Sequence, residues 1–113
     1  MAKQIVIRGG NITVASIQSR PNEYTTGGKA TSLSVYCGEV KSLDKRTPGP
    51  VWEIAKGCAH SKITAVDMAI LKKAGAKIES NALPGAPKHC LVSEISIEDF
   101  VEIFKKNAMI FEN

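Results

Sequence analysis

Apolar residues recur along this chain at two spacings, alternate positions and steps of three to four. Ile5-Val6-Ile7, inside Lys3 to Arg8, is a β-branched run closed by Gly9-Gly10-Asn11, which predicts a strand and a turn. Ile12, Val14 and Ile17 then read as the second arm of a hairpin, because Gly-Gly-Asn suits a tight turn that needs positive φ. Ser32 to Cys37 alternates, with Leu33, Val35 and Cys37 on one side, and predicts a half-buried strand ended by Gly38. Pro50 fits the first position of a short helix through Lys56, stopped by Gly57, with Trp52 and Ala55 turned inward.

A change of period follows. Ile63, Val66, Ile70 and Ala74, widened by Met68, Ala69 and Leu71, predict a central amphipathic helix. Ser61 or Thr64 is its expected cap, with Asp67 three residues beyond Thr64. Lys72 and Lys73 complement the dipole of its last turn, and Gly75 ends it. Lys77-Ile78-Glu79 and His89 to Ile95 predict strands on either side of a Pro84-Gly85-Ala86-Pro87 turn. Ser96 is placed to cap a last helix, with Ile97, Phe100, Val101 and Phe104 as its buried stripe and Ile95 stapled to Phe100. Met109, Ile110 and Phe111 end the chain as an edge strand or a packed tail.

This order predicts one α+β domain over residues 1–113. A single-layer, mostly antiparallel sheet of about five strands would be packed on one face by two to three helices. A crossover after Leu33–Cys37 would make that sheet mixed.

Composition narrows the class. A chain of 113 residues can build a core without disulfides or a metal, and 43% hydrophobic with 23% charged residues argues against disorder. Three cysteines, an odd number without a secreted-type spacing, point to reduced thiols and a cytoplasmic location. No apolar core of a signal peptide opens the chain, and no stretch reaches the ~18–20 apolar residues of a membrane helix, so no membrane partner is expected. The net charge of +4 is uneven. Residues 1–93 carry thirteen basic and six acidic side chains, residues 94–113 two basic and five acidic. A basic body with an acidic last helix can attract an anionic partner, although a mixed solvated surface explains the same numbers.

Candidate chemistry gathers between Cys58 and Cys90. Cys58, His60, His89 and Cys90 are zinc-ligand types, but Cys-x-His and adjacent His-Cys lack the knuckle spacing, so no metal is expected. His60 and His89, with Lys62 or Lys88, could serve as base and acid on a phosphodiester, the reading of a small hydrolase or nuclease. A Cys58 thiol activated by a helix end is a further option. The first reading is non-enzymatic: free amides opening the central helix, ringed by His60, Ser61 and Lys62 with Lys88 and His89 nearby, would bind an anionic small molecule or protein partner. Arg20, Lys29 and Thr25-Thr26-Gly27-Gly28 offer a weaker anion loop, without the full phosphate-loop pattern. No cofactor motif is present. The six aromatics mostly fall at core positions, which argues against nucleic acid. An inhibitor or assembly subunit, including a homodimer, is the remaining class and would expose an apolar patch.

The stretches His60-Ser-Lys-Ile63, Ala74-Gly-Ala-Lys-Ile78 and Leu83-Pro-Gly-Ala-Pro-Lys-His-Cys-Leu-Val92 resemble short bacterial proteins of the mobile-gene or cassette kind. That resemblance implies no known active site.

Overall fold

The computed structural model describes residues 2–19, 29–30, 32–107 and 109–112. The strands are β1 (Lys3–Gly9), β2 (Leu33–Val40), β3 (Lys62–Asp67), β4 (Lys77–Ser80), β5 (His89–Ser93) and β6 (Met109–Glu112). The helices are α1 (Val14–Gln18), α2 (Gly49–Ile54), α3 (Met68–Lys73) and α4 (Ile97–Asn107). The fold is α+β. All six strands join one antiparallel sheet in the order β4-β5-β2-β1-β3-β6. The expected sheet thus gains a strand and the expected helices become four, with no parallel crossover among the described residues.

The extra strand comes from the expected central helix. Lys62–Asp67 pairs with β1 on one side and β6 on the other, so its residues are in extended conformation. Ile63, Thr64, Ala65 and Val66 are buried in succession, which a strand covered on both faces allows and an amphipathic helix does not. Three of those four are β-branched and favour the pleated conformation. Helix starts only at Met68, where the Asp67 carboxylate accepts from the Ala69 amide at 3.0 Å. The buried residues of α3 are Met68 and Leu71, whereas Ile70 is half-buried and Ala74 exposed. Lys72 and Lys73 do occupy its last turn, and Gly75 follows at φ +101°.

The expected hairpin arm at 12–17 is also replaced, by α1. Thr13 Oγ1 accepts from the Ser16 amide at 3.0 Å, and Ser16 Oγ accepts from the Thr13 amide at 3.3 Å. That reciprocal capping box turns a weakly alternating stretch helical, and only Ile17 is buried. Strand β2 passes through Gly38 to Val40. The glycine is there for packing: a Cβ would stand 2.7 Å from Ile54 Cδ1 of α2.

The sheet is covered on both faces rather than one. Val6, Leu33, Val35, Val66, Cys90 and Val92 meet α1, α3 and α4 through Ile17, Leu71, Phe100 and Phe104. The opposite face, with Ile5, Ile7, Ile63, Ala65 and Phe111, meets Val51, Ile54 and Ala55 at α2. The last helix follows expectation: Ser96 Oγ accepts from the Asp99 amide at 3.1 Å, and Ile95, Ile97, Phe100, Val101 and Phe104 are buried. Met109–Glu112 is the edge strand, with Ile110 exposed.

Candidate functional site

The sheet divides the residues expected to form one anion site. No helix opens at His60–Lys62, so the amide mouth proposed there does not exist; Ser61 is an exposed residue leading into β3. His60 and Lys62 line two different cavities, separated by the chain at Gly9-Gly10. The Gly10 amide donates to the Lys62 carbonyl at 2.9 Å, which ties this divider to the start of β3.

The first cavity has a volume of about 450 Å³ and lies between α1, α4 and the β3–β6 edge. Phe104, Ile12 and Ile110 supply apolar lining, and Lys62 and Lys105 are the two basic residues that line it. Among the described residues neither lysine makes an ion pair. Thr13, Ser16 and Thr64 add hydroxyls. Ser16 Oγ is already committed to the carbonyls of Asn11 and Thr13, at 2.9 and 3.0 Å. Sequence reasoning found Lys62 here but missed Lys105, Thr13 and Ser16. Thr-x-x-Ser before Ile17 was the readable cue for α1, whereas nothing in the spacing joins residue 105 to residue 62.

The second cavity, about 220 Å³, is lined by Cys58 and His60 with Tyr36, Ser34, Gly9 and Gly57. Gly9 is its floor: a Cβ there would lie 2.5 Å from Cys58 Sγ and 2.7 Å from His60 Cδ2, so thiol and imidazole sit side by side over one missing side chain. Gly10, at φ +77°, extends that seat, with His60 Cε1 2.9 Å from its would-be Cβ. The pair of glycines is therefore needed for close approach as well as for a turn. Tyr36 forms the wall. Its phenol holds its proton to higher pH than usual, first through burial and then through the neighbouring Cys58 sulfur.

His89 lies behind that wall. Its ring meets Tyr36 edge-on, with centroids 5.6 Å apart at 87°, and its Nδ1 is 3.2 Å from the Asn81 carbonyl oxygen. It is only 7% exposed and does not line the cavity of His60, which Tyr36 borders. Lys88 is exposed, and its carbonyl accepts from the Cys37 amide at 2.9 Å. The two ends of the 58–90 stretch do meet, through backbone. Gly57, at φ +100°, packs so closely on the turn that a Cβ would stand 2.5 Å from the Gly85 carbonyl oxygen.

No family model, curated protein or solved structure matches the chain. What the site can do rests on its own geometry. Among the described residues no three metal-ligating side chains converge, and Cys58 and Cys90 lie on separate sides of the fold. Cys90 and Cys37 belong to the helix-covered core. Burial, then a hydrogen bond with Cys90, pushes the Cys37 thiol well up, so Cys37 is unreactive as it stands. Cys90 is in register with Val35, which makes Cys37 its diagonal neighbour. Such neighbours have Cα atoms about 7–8 Å apart, beyond the usual reach of a disulfide. The anion loop suggested at Arg20 and Thr25-Thr26-Gly27-Gly28 lies outside the described residues. No helix among the described residues is long and apolar enough to cross a membrane.

Proposed function

We propose that this protein is a non-enzymatic binding module for an anionic ligand with an apolar body, held in the cavity between α1, α4 and the β3–β6 edge. The observation that carries this reading is the convergence of Lys62 and Lys105, from different elements, on a recess with Phe104 and Ile12 in its lining. Lys62 belonged to the anion site expected from sequence; its helix-end amides are replaced here by a second lysine.

Magnitudes decide what kind of anion fits. A partly exposed ammonium–anion contact contributes about 1 kcal/mol or less. Two such contacts fall well short of the ~4 kcal/mol that even millimolar binding requires. Burying roughly 100 Å² of apolar ligand surface adds about 2.5 kcal/mol. A bare inorganic anion is thus the wrong size and chemistry, and a medium-chain carboxylate or a phosphate ester of similar bulk is the right one.

Octanoate is the direct probe. Titration into the folded protein, followed by amide NMR shifts, is expected to perturb Gly10 to Ser16, Lys62, Thr64 and Lys105. The Lys62→Gln, Lys105→Gln double variant should lose most of that response, and neutral octanol should bind more weakly than octanoate. Equal binding of octanol and octanoate, or shifts confined to other surfaces, would overturn the reading. The hydrolase alternative draws no support from the imidazoles, which face different surroundings. An interaction role is favoured by the exposure of Leu83 and of Ile110, the latter on the edge strand.

A further inference from the structure

We propose that Cys58 is a site of mixed-disulfide formation with a small-molecule disulfide, with His60 as its proton acceptor. Three observations, all independent of the lysine-lined cavity, lead there. Thiol and imidazole are held together over Gly9, where each would contact the same added Cβ. They line an opening of about 220 Å³, room for the near end of a small disulfide, whose rim is small at Gly9, Gly57 and Ala59. Its remaining lining is Arg8, Ser34 and Tyr36, the Arg8 guanidinium being the one other charged group there among the described residues. Cys58 is half-buried and His60 exposed, whereas the other two thiols are enclosed in the core.

The exchange balances with the disulfide as sole co-reactant. The Cys58 S–H proton passes to the His60 imidazole, and Sγ attacks the nearer sulfur of the disulfide in line. A Cys58 S–S bond forms as the original S–S bond breaks. The departing thiolate takes the proton from the imidazolium and leaves as a thiol. Cys58 is oxidised, the departing sulfur is reduced, and His60 ends neutral.

A pH–rate profile separates His60 from a bystander. A ring that only packs against Gly9 and Gly10 would leave the pH dependence of thiol reactivity unchanged when replaced by a neutral side chain of similar length. A proton acceptor would not.

Reaction of the folded, full-length protein with Ellman's disulfide tests this. One of the three thiols should react in a fast phase, with the other two following only as the core opens. Cys58→Ser should abolish the fast phase while leaving the melting temperature near that of the parent. His60→Gln should slow it about tenfold near neutral pH and move its pH–rate profile toward that of an unassisted thiol. Mass spectrometry after incubation with oxidised glutathione should locate the adduct on the peptide containing Cys58. Persistence of the fast phase in Cys58→Ser would overturn the assignment. So would an unchanged rate and pH profile in a folded His60→Gln variant, or an adduct on Cys37 or Cys90. Octanoate binding does not enter any of these readouts, so the two proposals fail separately.

Discussion

The two faces of the sheet are closed by different means, and the difference locates the chemistry. On one face α1, α3 and α4 lay a continuous apolar layer over β1, β2, β3 and β5, and the two cysteines within it are buried. On the other, a single six-residue helix and its flanking loops cover β1, β3 and the nearer part of β2. Beyond them, Tyr36 and Ser34 are only half-buried and the outer strands carry an exposed Lys77–Glu79 pair at 3.0 Å. A thiol on the first face is a small hydrophobe. A thiol on the second, at the end of the α2 loop, borders a cavity beside an imidazole. Side-chain type is the same in both places; only the covering layer differs.

That contrast is open to direct tests. The largest effect is expected from Phe100→Ala, which removes a fully buried ring from the helix-covered face and should cost about 3–5 kcal/mol in denaturant unfolding. A loss under 1 kcal/mol would mean that this layer is not the principal core. Gly57→Ala should come next, at about 1–3 kcal/mol, because the added methyl meets the Gly85 carbonyl and the backbone sits at φ +100°. It should also disturb the Cys58 thiol reaction more than the octanoate response, since Gly57 borders only the smaller cavity. Equal disturbance of both would dissolve the distinction between the two sites.

The smallest effect belongs to the exposed loop that leads into α2. Hydrogen bonds from Arg46, side chain first and then backbone, hold the Asp44 carboxyl below its usual range. A depressed folded-state value stabilises the protein above the unfolded value and is lost as pH falls through the folded one. Asp44→Asn should therefore lower the melting temperature slightly at neutral pH, with the difference vanishing in strongly acid solution. A gap that widens on acidification would contradict the pairing.

Some elements were legible because the local signal and the tertiary demand agree. Ser96, Asp99 and the Ile97-Phe100-Val101-Phe104 stripe specify α4, and the fold buries that same stripe. Pro50 near the start of α2 and Gly57 beyond its end work the same way. Ile63 to Ala74 misled because its apolar spacing satisfies a helix and a strand followed by a shorter helix equally well. The arbitrating cue was present in Ile63-Thr64-Ala65-Val66, a buried β-branched run like Ile5-Val6-Ile7. It becomes decisive only when a neighbour stands on each side.

By itself, then, the sequence determined the α+β class and the last helix with its core stripe. Local chemistry acts within a turn or two of chain, and each of those features is a local matter. Only the tertiary structure decided that Lys62–Asp67 is a strand between β1 and β6, that Lys62 lines a cavity with Lys105 rather than His60, and that His89 packs on Tyr36 outside the cavity of His60. Strand order and sheet face set those neighbours, and both depend on pairings between residues far apart in the chain, which no spacing along it records.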